Sequence, residues 1–164
     1  MFFIYEDHKG FYNDEDWELF RLVQQIFFRC CLARQKDKDT DNSDLATNGG
    51  SCHIRSLALT LLVPKLEFAT GHLLGVRRDG NKLLGPHCCQ HSWNRTPNGV
   101  IIDATPVGFI CAGPVLVPTD PKDAYTQFGG HLYFEEERDP DLDWKDLEVK
   151  AQKYADALVL GVKQ

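Results

Sequence analysis

The sequence predicts an α+β fold: a mainly antiparallel sheet packed with helices, with a candidate nucleophile at a helix N-terminus. Apolar residues recur at a helical period near both ends of the chain, while the middle runs in short apolar stretches broken by Gly and Pro. Cys52 stands where a polar, Gly-rich loop turns into an apolar run. With 164 residues, 43% of them hydrophobic, residues 1–164 read as a single domain with a filled core.

Asn13 to about Lys36 reads as the first helix. Asn13 is a capping residue followed by acids, and Trp17, Phe20, Val23, Phe27 and Cys31 fall near a 3.6-residue period. Residues 35–51, "QKDKDTDNSDLATNGGS", are almost devoid of large apolar groups and read as a long polar loop preceding the nucleophile. His53 to about Val63 reads as the second helix, ended by Pro64.

"LEFATGHLLGVRR" then reads as a strand and Asp79-Gly80-Asn81 as a turn. Residues 89–106, "CQHSWNRTPNGVIIDATP", form a hairpin around the Pro97-Asn98-Gly99 signal. "GFICAGPVLVP" reads as a strand interrupted by Gly113-Pro114, and "GGHLYFEEER" as a further one. Trp144, Leu147, Ala151, Tyr154 and Leu158 mark a closing helix introduced by Asp139-Pro140.

Charge excludes some functions. Lys plus Arg number 18 against 24 Asp plus Glu, a formal charge of -6 with no basic stripe, so nucleic acid is not an expected partner. "MFFIYEDHKG" has no basic n-region and meets acid at Glu6, so neither a signal peptide nor a membrane span is expected, and a cytoplasmic setting follows. Four of the 6 cysteines form the vicinal pairs Cys30-Cys31 and Cys88-Cys89, a layout that suits reduced thiols. Cys30, Cys31 and Cys111 sit in apolar runs and read as small hydrophobes.

Cys52 differs by its neighbours. A cysteine entering a helix meets unpaired backbone N–H groups and the positive end of the helix dipole, and both favour thiolate. Gly49 and Gly50 allow close backbone approach, and Ser51 leaves the thiol reachable. On the hairpin, strand parity puts His91 and Trp93 on one face, with the indole placed to shield the imidazole. Asp103, in the apolar "VIIDAT", needs a partner if buried, or else serves a turn before Thr105-Pro106. With the turn centred near Asn98, opposed residues sum to about 195. His91 and Asp103 sum to 194, so the two are expected across from one another to within one residue of register, ahead of His87, His72 and His131 as competitors. Cys, His and Asp in that order suit an activated nucleophile, its base and the base's orienter.

Cys52 at a helix start, "HSW" on one strand and "GVIIDATP" on the next resemble the transglutaminase-like branch of the papain-like cysteine enzymes. "CHIRSLAL" before the His strand is similar, more distantly, to the cysteine peptidases that remove leader sequences in lasso-peptide maturation. The resemblance covers about residues 48–107. It implies Cys52 as nucleophile, His91 as base and then acid, and Asp103 as orienter. The activity implied is amide or peptide hydrolysis, or acyl transfer, on a peptide or protein substrate through a thioester and without a cofactor. Where the family often has an acidic or aromatic residue after the His-Trp pair, this chain has Asn94-Arg95. The backbone N–H of Cys52 is the first oxyanion donor. Asn48, Gln24 or Gln25 are candidates for a second, and Trp93 for positioning.

Two other classes fit some of these residues. "HCCQH" (His87, Cys88, Cys89, His91), with Cys52 and His53, supplies soft ligands for a zinc module, although vicinal ligands rarely reach one ion tetrahedrally. A binding or inhibitory protein without catalysis would use the acidic stretches 37–44 and "EEERDPDLD" as contact surfaces.

Overall fold

The computed structural model describes residues 13–36, 51–79, 82–105, 115–117 and 132–160. Most of the polar loop expected at 35–51 lies outside them. Among the described residues the fold is α+β, with three helices and one five-stranded sheet.

Helix α1 spans Asp14–Lys36. Asn13 Oδ1 accepts the Asp16 N–H at 2.8 Å, and the acids of the first turn complement the helix dipole. Leu19, Phe20 and Val23 recur at the expected helical spacing and are buried. Helix α2 spans Ser51–Leu62, two residues earlier than the apolar run alone indicated. Its first turn therefore includes Cys52. Pro64 closes it, with the Leu66 N–H turning back onto the Val63 carbonyl at 2.9 Å. Helix α3 spans Trp144–Leu160 and is capped by Asp143, whose Oδ1 accepts the Asp146 N–H at 3.1 Å.

The strands are β1 (Glu67–Asp79), β2 (Lys82–Arg95), β3 (Ile101–Asp103), β4 (Val115–Val117) and β5 (Leu132–Glu135). Their order is β4-β3-β2-β1-β5, and every neighbouring pair is antiparallel. Strand β5 thus returns to pair with β1. Gly71 permits that pairing, because a Cβ there would stand 1.9 Å from the Phe134 carbonyl oxygen.

Alternation gives the sheet two chemically distinct faces. Ser92 and Asn94 meet α2: Ser56 Oγ donates to the Ser92 carbonyl at 3.0 Å, and Asn94 Nδ2 donates to the Ser56 carbonyl at 2.9 Å and to Thr60 Oγ1 at 3.1 Å. On this side Phe20, Val23, Leu59, Val63, Ile102 and Leu116 form one core cluster. Leu57, Ala58, Ala151, Tyr154 and Ala155 join α2 to α3 in another. Register sets Ala69, Leu73, Cys89, His91, Trp93, Asp103 and Tyr133 on the opposite parity. Among the described residues no helix is long and apolar enough to cross a membrane.

Candidate active site

The β2–β3 hairpin positions the first two groups. Its loop is three residues long, Pro97-Asn98-Gly99, closed by Thr96 N–H to the Val100 carbonyl at 2.9 Å. Gly99 sits at φ 81, the left-handed position that ends a loop of this length and that glycine adopts without strain. The loop fixes Asn94 opposite Ile102. Continuing the register by one pair places Asp103 across from Trp93, which corrects the expectation that His91 lies directly opposite. His91 is the diagonal neighbour, on the same face and still within side-chain reach.

The contact forms on that diagonal. His91 Nε2–H donates to Asp103 Oδ2 at 2.8 Å, and both side chains are 0% exposed. Asp103 accepts two further bonds, from the Tyr133 hydroxyl to Oδ2 at 2.7 Å and from the Thr105 N–H to Oδ1 at 2.9 Å. The two roles weighed for Asp103, buried partner and turn former, are therefore both present. Trp93, 1% exposed, stacks near His91 with centroids 6.2 Å apart and meets Tyr133 edge-on at 5.0 Å.

Cys52 supplies the third group, half-buried and free. Burial by itself pulls the His91 pKa down. The charge and hydrogen bond of Asp103, followed by the hydrogen bonding and charge of Cys52, outweigh burial and raise it to about 10. The ring is thus protonated at neutral pH. Its Nδ1 has no hydrogen-bond partner among the described residues, and Cys52 is near enough to contribute to the raised pKa of the ring.

His53, next to Cys52, is engaged elsewhere. Its Nδ1 and Ser92 Oγ are hydrogen-bonded at 2.6 Å, and its ring meets Trp144 edge-on at 5.4 Å. Burial and the charge of His91 lower its pKa against the opposing pull of Asp139, which keeps it neutral near pH 7. It ties the start of α2 to β2 and α3. Cys89 shares the His91 face, and burial, then the charges of Cys52, Cys88 and Asp103, push its thiol up.

The remaining expected residues are placed as follows. Gln24 is half-buried and Gln25 exposed on α1, and among the described residues neither bonds Cys52, His91 or Asp103. Asn48 lies outside the described residues, as does the side chain of His87. No group of three or more His, Cys, Asp or Glu suited to hold a metal ion occurs among the described residues, and His91 is engaged by Asp103. Tyr133 was missed by sequence reasoning, since "HLYFEEER" signals only a strand.

No protein-family model, curated protein or solved structure matches the chain. Its chemistry therefore rests on the geometry itself.

Proposed function

We propose that the protein is a cysteine-dependent amide or peptide hydrolase, or an acyltransferase, built on a transglutaminase-like or papain-like arrangement. One observation carries the reading: a cysteine in the first turn of a helix lies within electrostatic reach of a buried imidazole whose Nε2 is held by a buried carboxylate and whose Nδ1 has no partner among the described residues. The substrate class is a peptide or protein carbonyl, and no cofactor is required.

In this reading the Cys52 sulfur attacks the carbonyl carbon, and the carbonyl π pair moves to oxygen. The backbone N–H of Cys52, in the first turn of α2 where N–H groups lack an intrahelical partner, would face that developing charge. Collapse of the intermediate breaks the bond to the leaving amine, which takes a proton from His91 Nδ1 and departs, leaving a thioester. Water or an acceptor amine then attacks while His91 Nδ1 takes its proton, and expulsion of the Cys52 sulfur restores the starting state. Asp103 holds Nε2–H throughout and keeps Nδ1 directed at the sulfur.

The test uses p-nitrophenyl acetate, which needs no knowledge of the natural substrate. A burst of nitrophenol with an acetyl group located on Cys52 by mass spectrometry is expected, absent from Cys52→Ala. Acetylation spread equally over Cys52, Cys88 and Cys89 would overturn the reading.

A further inference from the structure

Tyr133 approaches Asp103 from the far side of the sheet. Strand β5 lies beyond β1 and β2 from β3, three strand spacings or about 14 Å on a flat sheet. The two side chains close that gap by lying along one face, with the Tyr133 ring edge-on to Trp93 at 5.0 Å and 6.4 Å from His91. The contact depends on Gly71, which lets β5 settle against β1. At its end the hydroxyl donates, at 2.7 Å, to the same Oδ2 that accepts His91 Nε2–H at 2.8 Å. The other oxygen is held by the Thr105 N–H, so among the described residues the carboxylate has three donors, and it has no exposure.

We propose that Tyr133 is a positioning residue whose hydroxyl fixes Asp103 Oδ2 on the line to His91 and tempers the negative charge that this carboxylate offers the imidazole. The inference rests on the function proposed above for its rate consequence, but not for its electrostatic one. A hydrogen bond to a carboxylate stabilises its charge and lowers its hold on any other proton. Two donors on one oxygen therefore compete. Without the hydroxyl, Asp103 would bind the His91 proton more tightly, and the ring would yield its Nδ1 proton less readily to a leaving group. Among the described residues the titratable groups near His91 are Cys52 and His53 from α2, Cys89 from its own strand, Asp103 from β3 and Tyr133 from β5. Of these, the tyrosine shares an acceptor atom with the imidazole.

Tyr133→Phe keeps the ring contacts and removes only the hydroxyl. By histidine-selective NMR titration, the His91 pKa should rise by roughly half a unit. The p-nitrophenyl acetate burst rate should fall roughly tenfold, on the scale of one lost hydrogen bond. Replacement of Tyr133 by 3-fluorotyrosine, a stronger donor, should weaken the His91 Nε2–H bond to Asp103 at pH 7, where the fluorophenol keeps its proton, and so move that proton's resonance upfield, opposite to Tyr133→Phe; this second variant decides the matter if Tyr133→Phe does not fold. A His91 Nε2–H resonance at pH 7 unmoved in both variants, or moved in the same direction, would overturn the proposal. A parent without a burst would count against the proposed function alone, because the titration reads the Tyr133 effect in its absence.

Discussion

Asp103 stands across the hairpin from Trp93 yet bonds His91, one diagonal away, at 2.8 Å. The indole occupies the space beside that diagonal and keeps it dry. A buried ion pair of this kind is costly to break on one side, because the remaining charge is left without compensation.

Asp103→Ala should therefore lose about 3–5 kcal/mol of stability, against little change for Cys52→Ala, whose half-buried thiol leaves no stranded charge. Denaturant melts of the two variants decide this. Equal stability of Asp103→Ala and the parent would contradict a buried pair.

Stability should fall as pH rises from about 6.5 to about 10. His91 keeps its proton to about 10 in the folded chain, against an ordinary value of 6.5. Across that window the folded state holds a proton that the unfolded state has released, so raising the pH favours unfolding. Below the window the contribution is whole. Thermal melts across this range, compared between the parent and Asp103→Asn, should show a downward slope that the variant flattens.

Iodoacetamide at neutral pH should label Cys52 faster than Cys89, whose thiol is pushed up by burial and by neighbouring charges. Cys52 should also outpace Cys88, which is exposed, because Cys52 alone combines a helix start with a protonated imidazole. His91→Ala should remove that advantage and the acetylation burst, whereas His87→Ala should retain both. Peptide mapping gives the order directly, and a Cys52 slower than Cys88 would remove the case for a nucleophile.

Gly71→Ala should displace β5, since the new methyl would meet the Phe134 carbonyl at 1.9 Å. The outcome to measure is loss of hydrogen-exchange protection along Leu132–Glu135, with the β1–β2 pairing retained. Full protection of β5 in this variant would show that the strand approaches differently.

The helices were legible in the sequence because their causes are local: an Asn13 cap, a 3.6-residue period and a Pro64 stop. The candidate Cys52, His91 and Asp103 were legible because a helix-start cysteine and an acid in an apolar strand each break an expected pattern. Register was harder. A three-residue loop ending in left-handed Gly99 centres the hairpin on Asn98 itself, so opposed residues sum to 196 rather than 195 and Trp93 takes the place assigned to His91. Tyr133 was not legible at all, since its bond joins positions 30 apart across three strand spacings. No local pattern encodes such a contact.

The return of β5 to β1 also bears on how the molecule is made. Translation delivers Cys52, His91 and Asp103 well before Tyr133, so a nascent chain already carries the thiol, the imidazole and the carboxylate while the sheet still lacks its final edge. Only when Leu132–Glu135 leave the ribosome can the tyrosine hydroxyl reach Asp103. The strand order thus makes the Tyr133 bond to Asp103 the last contact of this cluster to form, because its donor lies on the strand that is synthesised after the other three residues.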